Sequence, residues 1–480
     1  MLVVLGFRPQ STRRGRAARL VLAAFMVGAA ATCIDRPSLT AEPAALAAAP
    51  PELLDRLRAD PYNYFRFINH EWTSRVCETF AADLPKQPMV QLHGDAHLEQ
   101  YALTSDAWGL DDFDDSARGP ALVDISRFLG SIDLAARRRD WTRDRDRLFD
   151  RFFEGYRRGL SDATYRPAEP GVVRWVRNQN PSPPREAFFA WAETKMVPMP
   201  AVSMNALLAS MTVFSRIVRR ERPELPEGYF QVVRAGWLRI GIGSAAIRKI
   251  LMRVRGPSDD PADDELLEAK AIRALKGLEC LELPKSRPAF RVIVGTHQVG
   301  RLQHNILVAG PEEEIPEMAI AGEHLRNWWV RSWEPSYREI TLDDLRSVED
   351  LSEVVYDSAV QLGSGSIHES SDTTLRTRSL AAIDALEPRL RQQAQVLVEQ
   401  MVRGWGQLPR RGKAQSQATA AIAGPADRTV AVDSRSSSST ADVSPAAAFS
   451  SLNSVAVKAR SRSNSTWRIV PDRSSPFTRK

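Results

Sequence analysis

Cysteine is nearly absent. Cys33, Cys77 and Cys280 are the three in the chain, too few and too scattered for a disulfide framework or a zinc site, so they read as isolated thiols. An apolar run of about 20 residues is missing too, so no ordinary transmembrane helix is expected. Positive charge is lacking where a nucleic-acid binder would need it. The chain carries a formal +6, but residues 1–32 hold five arginines and no acid, and residues 410–480 hold twelve Lys/Arg against four Asp. Setting both ends aside leaves about −7 for residues 33–409, so no basic stripe is expected on the folded portion. Internal repeats are also lacking. What is present is ordinary globular composition, 43% hydrophobic and 26% charged, with apolar surface for one or two cores.

The N-terminus has the layout of an export signal. Arg13, Arg14, Arg16 and Arg19 precede the apolar stretch Leu20 to Thr32, and Ala29 to Ala31 offer a small-residue exit. Exported and cytoplasmic readings both stay open at this point. An Ala/Pro linker runs from Ala41 to Pro51, so residues 1–50 read as leader and linker. From about Arg410 the chain is rich in Ser, Ala and Arg. It has too little apolar surface to offset the entropy of ordering, and residues 410–480 are expected to be a disordered basic tail.

Between the ends, residues 52–220 read as mainly helical with a strand-rich insert. Ile125, Phe128, Leu129 and Ile132 fall on one helix face, as do Leu148, Phe149, Phe152, Phe153 and Tyr156. Pro88–Leu92 and Trp108–Leu110 read as short strands. Residues 221–345 read as a small antiparallel sheet, with strands over Gly236–Ile242, Ala246–Arg255 and Leu266–Ile272, the last two separated by the loop Gly256 to Asp264. Residues 346–409 return to helix, with Pro388 expected to separate one helical segment from the next.

The reactive side chains gather in His93-Gly94-Asp95-Ala96-His97-Leu98-Glu99-Gln100 and Asp111-Asp112-Phe113-Asp114-Asp115. Each group follows a predicted strand, so the two loops converge at neighbouring strand ends. Seven acidic residues from Asp95 to Asp115 repel one another unless a cation or basic group sits among them. Magnesium takes such oxygen ligands and completes its shell with water or phosphate. Phosphoryl transfer needs one carboxylate to orient the attacking hydroxyl and take its proton, and another to hold the metal. Asp95 suits the first role and Asp112 the second. His93 and His97 flank Asp95 as further catalytic candidates. Asp124 stands at the start of a helical stripe, where it caps that helix or braces the Asp95 loop.

The pattern His-Gly-Asp-x-His, then Asp-Phe-Asp, then Gly-Pro-x-x-x-Asp resembles the core of aminoglycoside phosphotransferases and related kinase-like proteins. More closely, His93–Ser131 resembles an uncharacterised bacterial family, domain of unknown function 2252, and Tyr64-Phe65-Arg66 resembles that family's upstream segment. The resemblance implies a two-lobed, protein-kinase-like fold that binds ATP and magnesium. It implies Asp112, Asp114 and Gln100 as metal ligands, with Gln100 standing where the motif usually has Asn. It also implies Gly241, Gly243 and Ser244 as a phosphate-cradling turn and Lys270 as the phosphate-contacting lysine. Trp329-Val330-Arg331 and Gly363 to His368 resemble family segments more loosely. The glycine turn and lysine follow Asp95 by about 150 residues in this sequence, the reverse of the usual kinase order, which implies lobes permuted in sequence.

The fold class expected is α+β. The function expected is transfer of the ATP γ-phosphate to an unidentified small-molecule hydroxyl, with no nucleic-acid partner. A non-catalytic nucleotide binder and a metal-dependent phosphoesterase built on His93, Asp95, His97, Asp112 and Asp114 remain alternatives.

Overall fold

A computed structural model of the chain describes residues 37–238, 247–284, 288–302, 304–311, 319–367, 373–409 and 457–459. The leader, the glycine turn Gly241 to Ser244, His368 and almost all of the C-terminal tail lie outside the described residues. The described residues from Leu39 onward cluster as one compact unit.

The fold is α+β. Four short helices come first: α1 (Pro43–Ala48), α2 (Pro51–Ala59), α3 (Pro61–Phe67) and α4 (Asn69–Thr79). Strands β1 (Met89–Leu92), β2 (Tyr101–Leu103), β3 (Trp108–Leu110) and β4 (Ala117–Pro120) follow, β3 over the range the sequence predicts. β1 pairs antiparallel with β4, and β2 with β3. Helices α5 (Leu122–Arg138), α6 (Arg145–Ser161), α7 (Gly171–Gln179) and α8 (Arg185–Glu193) lead to β5 (Met196–Val197) and the long α9 (Ala201–Glu221). Both predicted apolar stripes are buried, on α5 and α6. They join a core that takes in α4, β1, α11 (Val348–Ile367) and α12 (Thr373–Gly406).

The second half carries β6 (Val232–Leu238), β7 (Lys249–Val254), β8 (Glu265–Ala271), α10 (Phe290–Gln298), β9 (Ile306–Ala309), the short hairpin of β10 (Ala319–Ile320) and β11 (Glu323–His324), β12 (Trp328–Ser332), β13 (Arg338–Glu339) and β14 (Val457–Ala459). One sheet runs in the order β14-β9-β12-β8-β7-β6-β5, every neighbour antiparallel. Strand alternation gives the sheet two faces. Ile250, Met252, Val254, Leu267, Ala269, Val308 and Val330 pack with Leu207, Met211 and Phe214 of α9 in a second core. The opposite face carries Lys249, Glu268, Lys270, Trp329 and Arg331, in register across β7, β8 and β12.

Two expectations are corrected. Cys77 and Cys280 are not isolated thiols. They form a disulfide, with Cα atoms 5.8 Å apart, across 203 residues of chain. Pro388 does not divide two helices but lies inside α12, which runs on for 34 residues. Its ring costs one internal hydrogen bond, and burial of Leu386, Leu390, Leu397 and Met401 along the same helix outweighs that loss.

Candidate functional site

The site is assembled by two loops that touch. The first, residues 93–97, leaves β1; the second, residues 111–116, lies between β3 and β4. Gly94 has φ +87°, and a Cβ there would lie 1.9 Å from the carbonyl oxygen of Asp115, so only glycine fits this contact. Asp124, in the first turn of α5, accepts hydrogen bonds from the backbone N–H of His93 (2.7 Å) and Gly94 (2.9 Å). Of its two expected roles it therefore takes the bracing one; Ala121 stands at the N-cap. Asn69, the first residue of α4, ties both loops together by donating to the carbonyl of Gly94 (2.9 Å) and to Asp115 (2.8 Å).

His93 is fully buried, with its ring 4.7 Å from that of Phe113. Its Nε2 donates to the carbonyl of Asp111 (2.9 Å) and its Nδ1 accepts from the Asp95 N–H (3.3 Å), the neutral Nε2–H tautomer. His93 thus joins the two loops from beneath. Asp95 Oδ1 accepts from Arg127 Nε at 2.9 Å, and its Oδ2 lies 3.5 Å from Gln100 Nε2 and 3.8 Å from His97 Nε2. Burial outweighs the Arg127 charge and pushes the Asp95 carboxyl up to about 6. Arg127 itself is clamped, donating to the Phe65 carbonyl (2.9 Å) with its guanidinium carbon 3.7 Å from the Phe65 ring centre. Burial, helped by Arg66 and Arg127, holds His97 well below its ordinary value, so it is neutral, and its Nδ1 has no hydrogen-bond partner among the described residues.

The second loop meets the sheet. Asp112 takes a left-handed φ of +62°, uncommon for a residue other than glycine. Lys270 Nζ lies 2.9 Å from Asp112 Oδ1 and 2.5 Å from Asp114 Oδ2. Two carboxylates thus share one ammonium. Burial alone would raise Asp112, but Lys270 and Arg331 hold it below the usual carboxylate range. Burial and the Asp112 charge push Asp114 up to about 7. Burial would lower Lys270, and the two aspartates overcome it and raise the lysine. One residue earlier, Asp111 is paired with Arg331 (3.0 Å), which also holds Glu268 (3.0 Å). On the far side Arg273 lies 3.5 Å from Asp115.

A narrow cleft lined by Arg66, Asp95, His97, Gln100, Asp112, Asp114, Asp115 and Arg273 opens onto this cluster. A roomier cavity of about 560 Å³ lies elsewhere, beside α6 and α12. Its arginines are engaged by their neighbours, Arg157 by Asp384 and Glu387 and Arg391 by Asp150 and Glu387, so chemistry favours the smaller cleft. Among the described residues no cage of three or more His, Cys, Asp or Glu is preformed for a metal. The donors still suit a hard cation that completes its shell with phosphate. Asp112 is 35% exposed, and Asp114 Oδ1 is buried without a partner among the described residues.

The structure thus brings together Asp95, His97, Gln100, Asp112, Asp114 and Lys270, with His93 and Asp124 supporting them. Gly241, Gly243 and Ser244 lie outside the described residues. Arg127, Arg273, Glu268 and Asn69 were not singled out by the sequence. Glu268 and Lys270 alternate with Leu267, Ala269 and Ala271, a period of two that marks them as one face of a strand; no comparable signal marks Asn69.

No curated protein and no solved structure matches the chain. Residues 47–176, which hold both acidic loops, Asp124 and Arg127, match the model of the family described as "Uncharacterized protein conserved in bacteria (DUF2252)", and the match supports the resemblance to that bacterial family read from His93–Ser131.

Proposed function

We propose that the protein is a kinase-like phosphotransferase that moves the γ-phosphate of ATP to a small-molecule hydroxyl. One observation carries the reading. Lys270, on the third strand counted from β6, reaches the two carboxylates of the Asp-Phe-Asp segment, while the Asp95 loop opens into the same cleft. Kinases likewise carry the phosphate-contacting lysine on a third strand and pair a metal-binding aspartate with a separate catalytic-loop aspartate.

On this reading Asp95 orients the acceptor hydroxyl and takes its proton. A carboxyl at about 6 is mostly ionised at neutral pH and more basic than an ordinary aspartate. Arg127 and the Asp124 brace fix its position. Lys270 turns from the aspartates to the nucleotide phosphates. Asp112 and Asp114, with the Gln100 carbonyl, would hold magnesium, which supplies charge neutralisation of the phosphates when bound.

A second reading, a nucleotide binder without turnover, is favoured by the Arg127 guanidinium on Asp95 (2.9 Å) and by Gln100 at the usual Asn position. One experiment separates the two. Thermal unfolding of the full chain is followed with and without ATP and magnesium, beside Asp112→Asn, and then ATP turnover is measured. A ligand at a hundredfold excess over its Kd stabilises the fold by about 2.7 kcal/mol. A magnesium-dependent shift lost in the variant supports the nucleotide site, and turnover decides for transfer. No shift with any nucleotide overturns both readings.

A further inference from the structure

We propose that Lys249 is a second phosphate-binding lysine, and that Lys249 and Lys270 together grip a polyphosphate. The inference rests on the nucleotide site proposed above. It deepens that reading by assigning a residue that neither the motif nor the family resemblance singles out.

Lys249 opens β7, and its direct partner across the ladder on β8 is Lys270. Residues paired in this way have Cβ atoms about 4.5–5.5 Å apart, and like charges there repel. Both lysines are almost completely buried, at 4% and 3% exposure, a rare environment for lysine. Their row continues to Trp329 on β12, whose buried indole N–H has no hydrogen-bond partner among the described residues. One face of the sheet therefore lines up two ammonium groups and a spare donor.

Lys249 is the first residue of β7, and Lys270 stands near the end of the antiparallel β8, so both lie at the same end of the sheet. Lys270 reaches both Asp112 and Asp114. A second ammonium in the same row is suited to a ligand with several adjacent negative charges. Burial and the neighbouring Lys270 lower Lys249 to about 8, a cost that an arriving polyanion would relieve. The chemistry fits the β- and γ-phosphates of a nucleoside triphosphate, or inorganic polyphosphate.

The test uses the full-length protein and titration calorimetry in magnesium. In the wild-type chain, affinity rises about tenfold from AMP to ADP and again to ATP, and inorganic tripolyphosphate competes with ATP. Lys249→Met weakens ATP at least tenfold and leaves AMP within about twofold, while Lys249→Arg stays within about threefold of wild type for both. Melting temperatures of the free variants establish that each is folded. Equal binding of AMP and ATP by the wild type overturns the inference even where Lys249→Met does not fold. Unchanged ATP affinity in a folded Lys249→Met overturns it as well. Tripolyphosphate binding without binding of any nucleotide keeps the lysine pair and removes the nucleotide reading. Binding of neither removes both.

Discussion

Asp124→Ala tests how the Asp95 loop is held. The Asp124 carboxylate accepts from two consecutive backbone N–H groups, of His93 at 2.7 Å and Gly94 at 2.9 Å, and it is 4% exposed. Alanine leaves both donors buried. Each buried donor without a partner costs about 1–3 kcal/mol. Removing the carboxylate also lifts a desolvation cost, since burial raises its pKa against the pull of the two backbone donors. The net loss expected is about 2–4 kcal/mol. A helix-capping aspartate alone would cost about 0.5–2 kcal/mol. Asp124→Asn keeps one acceptor oxygen and turns an NH₂ toward the other donor, so it should recover less than half of the loss. The assay is urea unfolding, with the midpoint shifting at constant m-value. A loss below about 1 kcal/mol for Asp124→Ala refutes the brace.

Gly94→Ala should leave little folded protein, because its Cβ would meet the Asp115 carbonyl oxygen at 1.9 Å in a left-handed backbone; soluble protein with wild-type circular dichroism and urea midpoint would contradict the contact. Asp95, raised to about 6, works as a base only when ionised, so transfer should fall as pH drops through about 6. Its stability contribution has the opposite sense: with the folded value above the unfolded one, it is fully present below about pH 4 and lost as pH rises through about 6. A rate profile without an acid limb near 6 would remove Asp95 as the base. Cys77→Ser should cost about 2–4 kcal/mol of stability, because it opens a loop closed across 203 residues. A reductant should lower the melting temperature of the wild type and leave that of Cys77→Ser alone; equal sensitivity would mean that the pair is not bonded.

Much of the site was legible because its components lie close together in the chain. Asp95, Asp112 and Asp124 fall within 30 residues, and the strand–loop alternation that sets them at neighbouring strand ends is a local pattern. The alternation in Leu266 to Ala271 likewise marks β8 and the face that carries Lys270. What stayed hidden depends on contacts between distant segments. Cys77 and Cys280 are paired by the approach of α4 to the segment after β8, and no spacing rule encodes that approach. Pro388 reads as a helix end because its local cost is visible, whereas the packing of α12 on α5 and α6 that overrides it is not. Arg127 is one turn beyond Asp124 on a helix that looks simply amphipathic, and only the fold shows its guanidinium turned inward onto Asp95.

The order of these segments along the chain bears on how the site was assembled. Carboxylates from residues 111–115 meet basic groups from residues 270–331, so the sheet must dock on the acidic loop before these ion pairs form. Neither side is comfortable alone. The acidic loops place five aspartates within one small volume, and the sheet face carries Lys249, Lys270 and Arg331 beside Glu268. Separated, each side would be driven apart by its own charge; docked, Lys270 falls between Asp112 and Asp114, and Arg331 between Asp111 and Glu268. The Cys77–Cys280 link ties α4, which holds Gly94 and Asp115 through Asn69, to the segment that follows Lys270 and Arg273. It therefore ties together the two segments whose docking brings Lys270 and Arg273 to the acidic loop. Chemistry at such a site depends on which groups converge and is indifferent to which half of the chain is made first, so a lysine that follows the acidic loops in sequence is compatible with the proposed transfer.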